Sequence, residues 1–87
     1  MNTFSLRIAS PDGDIFNGEC AFLKLRGIEG ELAIMAGHIP FVTPVKSGNI
    51  KLIDGDGNEM TGLCESGILT VTKESVLFLT GKIDWNN

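Results

Sequence analysis

The chain has 87 residues and a formal net charge of −4; 43% of its residues are hydrophobic and 21% are charged. This composition excludes a disordered chain, and the length predicts one domain with a modest core. Seven Lys and Arg residues against eleven Asp and Glu residues, without a basic run, exclude a surface built to bind nucleic acid backbones.

The first third of the chain reads as short strands separated by turns. TFSLRIA alternates apolar and polar residues, as a half-buried strand does. SPDGD follows as a turn, because Pro fixes φ and Asp-Gly permits positive φ. DIFNGE is predicted as a short strand that ends at Asn17 and Gly18, a dipeptide typical of tight hairpins. The next predicted strand, ECAFLKLRG, has Leu23 and Leu25 on one face.

The second half of the chain repeats this pattern. SGNIKLID and EMTGLCE flank DGDGN as one hairpin, and SGILTVT and SVLFLTG flank a turn at Lys73 and Glu74. Turn signals that recur about every 8–12 residues are typical of antiparallel sandwiches and barrels. KIDWNN at the end loses the alternation. We therefore predict an all-β fold, a two-sheet antiparallel β-sandwich of short strands.

Targeting signals and cysteines indicate where the chain works. No apolar run reaches the ~18–20 residues that cross a bilayer, and the N-terminus lacks the pattern of a signal peptide. We therefore expect a cytosolic chain that reaches a membrane only by docking onto a protein already there. Cys20 and Cys64 lie in strand-like segments without C-x-x-C spacing, so we predict two buried, reduced thiols.

The segment EGELAIMAGHIPF, residues 29–41, brings together charge, glycine and large apolar side chains. Glu29, Glu31 and His38 are candidate general acids or bases, but the segment contains no Ser or Cys nucleophile. One His and two Glu at this spacing match a metal site weakly. The glycines lack the Lys-Ser/Thr pair and the following helix of a phosphate loop. We therefore predict no catalytic, metal or cofactor site here.

Two interpretations of this segment remain. A structural loop would place Leu32 and Ile34 in the core and the glutamates in solvent. It would leave Met35, Ile39 and Phe41 around a turn that a small sandwich cannot bury completely. An exposed apolar group beside Glu and His side chains is typical of a protein interaction surface, and this is the interpretation we favour.

Several motifs in this chain resemble the epsilon subunit of the rotary ATP synthase, and together they cover nearly its whole length. In IASPDGDIFNGE the matching residues are Ser10, Pro11, Phe16, Gly18 and Glu19. In residues 29–41, where the family has Glu-Gly-Glu-Leu-Gly-Ile and then Pro-Gly-His-Ala-Pro, the matching residues are Glu29, Gly30, Glu31, Leu32, Ile34, Gly37, His38 and Pro40. KSGNIKL and SGILTV resemble two further segments of the family.

The resemblance implies a sandwich of about ten strands that serves as a non-catalytic subunit of the central stalk. In the family this domain holds the gamma subunit and meets the polar loops of the membrane c-ring, so that ion-driven rotation reaches the alpha/beta catalytic head. It implies no cofactor, no nucleic acid partner and a peripheral position on the cytoplasmic face of the cell membrane. Residues that contact gamma are not assigned. The residues implied to face the c-ring are Glu29, Gly30, Glu31, Leu32, Ile34, Met35, Gly37, His38, Ile39 and Pro40.

The chain departs from the family pattern in three places. Ala33 stands where the family has Gly, and Ala36 stands where it has Pro, which leaves the following turn less preorganised. Family members usually continue into a C-terminal hairpin of two helices, whereas this sequence ends at DWNN. We expect residues 1–87 to be a single sandwich domain with the helical hairpin absent.

Lys73 supports an alternative function. Small β-domains that carry a lipoyl or biotinyl group attach it to a lysine at a hairpin tip, and Lys73 lies at a predicted tip. Its neighbours Thr72 and Glu74 differ from the Met or Asp and the Ala or Met that flank the lysine in such carriers. We therefore favour a solvated turn lysine and keep the carrier as a second hypothesis.

Overall fold

Nine β-strands make up the regular structure of residues 2–86, the part of the chain that the computed structural model describes. The predicted all-β class is confirmed, with nine strands in these residues where the resemblance implied about ten. The strands are β1 (Phe4–Ser10), β2 (Gly13–Gly27), β3 (Gly30–Ile34), β4 (Phe41–Val45), β5 (Gly48–Asp54), β6 (Glu59–Cys64), β7 (Gly67–Val71), β8 (Ser75–Thr80) and β9 (Ile83–Trp85).

Strand β2 is much longer than the sequence predicts. The predicted hairpin at Asn17 and Gly18 is wrong, because both residues lie inside the 15-residue β2 and pair with Arg7 and Leu6 of β1. The turn that joins these strands is the one predicted at SPDGD. A register shift between Cys20 and Phe22 interrupts the pairing of β2 with β5. The side-chain alternation changes there, since a bulge adds a residue to one strand.

The strands form one hydrogen-bonded path in the order β4-β7-β8-β1-β2-β5-β6-β9, and β3 pairs with β2 beside this path. All pairs are antiparallel except β1 with β8, which is parallel. Eight strands laid flat at the usual spacing would extend to about 34 Å. The principal extents of the chain are only 28 × 28 × 24 Å. The sheet therefore folds into two layers, and β2 takes part in both by pairing with β1 at its start and with β3 and β5 further along.

The core lies between the two layers and collects the inward-facing side chain of almost every strand. Its largest member is Phe78, which is fully buried. The other buried members are Leu6, Ile8, Cys20, Leu23, Leu25, Ile34, Val45, Ile50, Leu52, Cys64, Leu69, Val71 and Val76. The predicted alternation is thus confirmed in most strands, and contact between the layers fixes which face of each strand points inward.

Both cysteines are buried and unpaired, as predicted. Burial raises the pKa of the Cys20 thiol to about 11, and it also raises the pKa of Cys64. Because the thiolate is the reactive form, both thiols are protonated and inert at neutral pH. They act as small apolar side chains of the core.

The end of the described chain is more ordered than its sequence pattern indicates. Strand β9 pairs with β6, and Trp85 packs on the core as a partly buried side chain. Three residues are too few to show alternation, so the pattern of KIDWNN carried no strand signal. Strand β9 thus pairs with an edge of β6 that would otherwise be open.

The turn between β5 and β6 is held by its own side chains. The Asp54 carboxylate accepts hydrogen bonds from the backbone N–H groups of Asp56 and Asn58, both at 2.9 Å. These hydrogen bonds lower the pKa of Asp54, and the bond from the Asn58 backbone is the largest cause.

Within residues 2–86, no group of three or more His, Cys, Asp and Glu side chains is placed to hold a metal ion.

Candidate functional site

Residues 29–41 form two different parts of the structure. Ile28 and Glu29 are the turn between β2 and β3 and are here called the hairpin tip. Residues 35–40, called the connecting loop, join β3 to β4. The two parts lie at opposite ends of β3, which at the usual rise per residue is roughly 16 Å long. The predicted docking segment is therefore a strip along one margin of the sandwich.

The hairpin tip presents an apolar side chain next to carboxylates. Ile28 is 55% exposed, because its turn position offers no core face. Gly30, with φ at 136°, allows the chain to enter β3 directly after the turn. The Glu31 carboxylate lies 3.6 Å from the Lys24 ammonium on the neighbouring strand. Glu29 has no ion pair with any charged group in residues 2–86.

A groove of about 480 Å³ separates the hairpin tip from β4. Half-buried Leu32 and Phe41 line it together with Thr43, while Glu29 and exposed Val42 lie at its rim. The groove is thus apolar inside and acidic at one margin. A partner side chain placed there would be partly removed from water.

The connecting loop keeps two large apolar side chains outside the core. Met35 is 55% exposed and Ile39 is 76% exposed. The ring of His38 lies 5.1 Å from the ring of Phe41, with the planes tilted by 55°. This aromatic contact holds the loop against the start of β4. Met35 and His38 also line a small cavity against the turn between β7 and β8, at Lys73.

The predicted c-ring-facing residues therefore differ in what they can contact. Met35 and Ile39 are exposed, as the favoured interpretation expected, and Glu29, Gly30, Glu31, Gly37 and Pro40 are exposed too. Ile34 is fully buried, and Leu32 is half-buried against the core, so both support the strip from inside. Phe41 and His38 are half-buried and fix the loop. Within this strip the sequence reasoning missed Ile28 and Val42.

A second apolar surface, here called the outer sheet face, covers the solvent side of β4, β7 and β8. Ile68 and Leu79 are directly opposite each other in the β7–β8 pair, and they are 44% and 48% exposed. Pro44 pairs with Ile68 from the other side. Exposed Val42 and half-buried Leu77 complete this face. A groove of about 470 Å³, lined by Ser10, Leu79 and Gly81 among others, continues it toward β1.

The sequence contained a signal for the outer sheet face that the alternation rule does not use. In GILTV and SVLFL, apolar residues occupy both faces of the strand. A strand with one solvent-exposed face normally alternates apolar and polar residues, whereas apolar residues on both faces are typical of a strand that is covered on both sides. Scattered exposed apolar residues are common, but here they lie side by side on paired strands.

The geometry suits binding better than chemistry. The two surfaces offer apolar side chains and carboxylates, and His38 packs on an aromatic ring instead of facing a nucleophile. None of Glu29, Glu31 and His38 shares a hydrogen bond with another of the three in the described structure. In residues 2–86 no helix is long and apolar enough to cross a membrane. The fold and surfaces define a β-sandwich domain with two exposed apolar surfaces.

Comparison with known protein families identifies the family of this domain. The chain belongs to the family described as "ATP synthase, Delta/Epsilon chain, beta-sandwich domain", whose model matches residues 3–86. The predicted family is therefore confirmed.

Two curated relatives are named as ATP synthase epsilon chains. The chain is 37% identical over 83 residues to the "ATP synthase epsilon chain, sodium ion specific" of Acetobacterium woodii, covering 95% of this chain and 62% of that one. It is 33% identical over 85 residues to the ATP synthase epsilon chain of Caldicellulosiruptor saccharolyticus, covering 98% of this chain and 61% of that one. The chain thus spans about three-fifths of the length of these relatives.

Solved structures share the fold. A chain of the Euglena gracilis mitochondrial ATP synthase, solved with OSCP, F1 and c-ring, matches with a TM-score of 0.87 and 21% identity over 95% of this chain and 53% of that chain. A chain of the Tetrahymena thermophila mitochondrial ATP synthase, solved as central stalk and c-ring, matches with a TM-score of 0.74 and 12% identity, covering 95% of this chain and 66% of that chain. At these identities the likeness concerns the fold alone.

Proposed function

We propose that this chain is a rotor subunit of ATP synthase that joins the gamma subunit of the central stalk to the membrane c-ring. The observation that carries the proposal is the presence of two exposed apolar surfaces on one small sandwich. An adapter between two partners needs two interfaces and a scaffold that transmits torque between them. It needs no cofactor, and its link to the alpha/beta catalytic head and to the membrane is indirect, through its partners.

The strip along β3 is the surface we assign to the c-ring. Ile39, Met35 and Ile28 are its apolar anchors, and each contributes about 1.5–3 kcal/mol if a partner buries it. The exposed Glu29 and Glu31 contribute less, about 0–1 kcal/mol for a surface pair, but they determine which partner fits. The family resemblance implies that the same segment faces the ring, and this supports assigning the strip to it.

The outer sheet face is the surface we assign to the gamma subunit. Its apolar residues, with Ile68 and Leu79 at the centre, lie on a flat sheet that suits a long, stable contact. The face and the strip meet at Val42, which belongs to β4 and lies at the margin of both. Both partners would then rest on one continuous framework of hydrogen-bonded strands, which is the mechanical requirement for coupling. The resulting position is peripheral, on the cytoplasmic face of the membrane.

Replacing Ile39 with serine tests the assignment of the strip. We expect the affinity of the complete subunit for purified c-rings to fall about tenfold or more, because loss of one buried large side chain exceeds 1.4 kcal/mol. Titration of labelled subunit against c-rings in detergent measures this. The fold should be unaffected, since Ile39 is 76% exposed and packs on nothing in the core.

Leu63→Ser is the matched control for this experiment. Leu63 is 54% exposed and lies on β6, a strand that contributes to neither surface. The control should bind c-rings as the wild type does. Equal binding by the wild type, Ile39→Ser and Leu63→Ser would contradict the assignment of the strip.

The carrier hypothesis has no geometric support. Lys73 lies in the β7–β8 turn, where the Thr72 hydroxyl accepts a hydrogen bond from the Ser75 N–H at 3.0 Å and donates one to the Ser75 carbonyl at 3.0 Å. This arrangement is an ordinary side-chain-stabilised turn. The family found for the chain is also not a carrier family. We therefore treat Lys73 as a solvated turn lysine.

A further inference from the structure

Asn17 and Gly18 form a dipeptide that is chemically labile in flexible chains. Asn17 is the one asparagine of the sequence that a glycine follows. Because glycine has no Cβ, its backbone nitrogen can reach the preceding side-chain amide whenever the chain is free to bend. Asparagine is for this reason among the residues that heat damages first. The dipeptide that the sequence indicated as a turn is therefore a candidate modification site.

The β1–β2 ladder holds the Gly18 nitrogen. The Glu19 carbonyl accepts a hydrogen bond from the Gly55 N–H at 2.9 Å, so it points away from β1 and toward the β5–β6 turn. Backbone groups of successive residues in a strand point to opposite sides. The Gly18 N–H therefore points to β1, where Leu6 is its register partner. A nitrogen whose N–H is bonded in this ladder is not free to act as a nucleophile.

A polar cluster holds the other reacting group, the side-chain amide of Asn17. Its Nδ2 atom donates a hydrogen bond to Asp14 Oδ2 at 3.2 Å, and Asp14 Oδ1 accepts one from Arg7 Nε at 2.8 Å. The hydrogen bond from Arg7 is the largest cause that lowers the pKa of Asp14, so this carboxyl is ionised and remains an acceptor at neutral pH. The folded strand thus fixes both reacting groups.

The Asp-Gly dipeptides of the chain are weaker candidates. They occur at positions 12–13, 54–55 and 56–57. Aspartate is ionised at neutral pH, and a carboxylate is a poorer electrophile than an amide. At 54–55 the Gly55 N–H is also bonded to the Glu19 carbonyl, and at 56–57 the Gly57 N–H is bonded to the Asp54 carbonyl at 3.1 Å. Asn17 is therefore the site with the greatest intrinsic reactivity.

We propose that Asn17 is a latent deamidation site, protected by the β1–β2 ladder and reactive when that ladder opens. In the open chain the Gly18 nitrogen loses its proton to hydroxide and attacks Cγ of Asn17. The new C–N bond closes a succinimide ring, and the bond from Cγ to Nδ2 breaks as ammonia leaves with a proton from water. Water then opens the ring at either carbonyl, which leaves aspartate or isoaspartate at position 17.

The product cannot restore the polar cluster. A carboxylate at position 17 has no N–H to donate, and it would face the Asp14 carboxylate, which repels it. Isoaspartate also adds a methylene group to the backbone of β2. Arg7 is the register partner of Leu77 across β1 and β8, so the added charge lies beside the outer sheet face. A subunit that has once opened is thus marked irreversibly. The reaction itself does not depend on which partner this face binds.

Comparing the folded with the unfolded subunit tests the protection. Peptide mass spectrometry after incubation of the complete subunit at mildly alkaline pH measures the loss of Asn17. We expect this loss to be slower in buffer than in urea by about tenfold or more, because only the open fraction of the chain reacts. Gly18→Ala should slow the reaction in urea, since a Cβ hinders the attacking nitrogen.

Leu6→Ala tests the protection without denaturant. Leu6 is fully buried opposite Gly18, so its truncation weakens β1 at this point. We expect the loss of Asn17 in buffer to accelerate by about tenfold or more. Ser5→Ala, at the exposed neighbouring position, should leave the rate unchanged. If Leu6→Ala is unfolded, it should react at the rate of the wild type in urea.

Three results would overturn the proposal. The first is an equal rate of Asn17 loss for the wild type in buffer and in urea. The second is a Leu6→Ala variant that reacts no faster than Ser5→Ala. The third is faster deamidation at Asn58 than at Asn17 in urea. The proposed function would survive each of these results, since it does not involve Asn17.

Discussion

Replacing Phe78 with alanine is expected to lower the free energy of unfolding by about 3–5 kcal/mol, the range typical of large aromatic side chains removed from a core. Phe78 is the largest fully buried side chain of the described structure. It pairs with Leu69 on one side and with Ile8 on the other, so the cavity would open between three central strands. The stability of a domain of this size is only about 4–13 kcal/mol, so this variant would be close to unfolding at 37 °C.

Urea denaturation followed by the fluorescence of Trp85 measures this loss. Leu79→Ala is the matched control, because Leu79 is the next residue of β8 but is 48% exposed. We expect the control to lose about 0.5 kcal/mol or less, as surface substitutions usually do. Similar losses for Phe78→Ala and Leu79→Ala would show that the inward and outward faces of β8 have been assigned wrongly.

Replacing Gly67 with alanine is expected to cost about 3 kcal/mol, although only one methyl group is added. A Cβ at this position would collide with the backbone carbonyl oxygen of Leu79 and would lie 3.0 Å from Cε1 of Phe78. The carbonyl cannot move without breaking the β7–β8 ladder, and the ring is fixed by the core. The absence of a side chain at Gly67 is thus what makes room for the largest residue of the core.

Gly18→Ala is the control for the glycine variant. Gly18 is also in a strand, but a Cβ there would meet only Phe16 ring atoms, at 3.8 Å or more. We expect this substitution to leave the free energy of unfolding unchanged or to raise it by about 0.5 kcal/mol, since glycine weakens a strand. The same urea titration compares both variants. An unchanged midpoint for Gly67→Ala would contradict the close packing of β7 on β8.

Much of the fold could be predicted from the sequence because burial on one face imposes alternation. The β5–β6 and β7–β8 hairpins and the inward faces of most strands follow from that rule. The predicted turn at Asn17 and Gly18 was wrong because pairing with β1 on a long strand overrides a local turn preference. The parallel pairing of β1 with β8 was not predictable, since it joins segments at opposite ends of the chain and depends on tertiary packing alone.

The candidate site was predictable in composition but not in shape. Apolar and acidic residues in 29–41 indicated a binding surface, and Met35 and Ile39 are exposed as expected. The alternation within GELAI belongs to a paired strand, so the segment is a strip with β3 in the middle rather than one loop. The outer sheet face was missed because its residues come from distant strands, and only the pairing register brings Ile68 beside Leu79.

The most direct test of the account is cross-linking in the assembled ATP synthase. Single cysteines at Ile39, Ile68 and Asn58 would carry a photoactivatable cross-linker, with the native cysteines protected by burial. The account predicts that Ile39→Cys joins the c subunit, that Ile68→Cys joins gamma and that Asn58→Cys, at the exposed β5–β6 turn, joins neither. Cross-linking from Asn58→Cys in the absence of products from the other two would place the partners elsewhere on the sandwich and contradict the account.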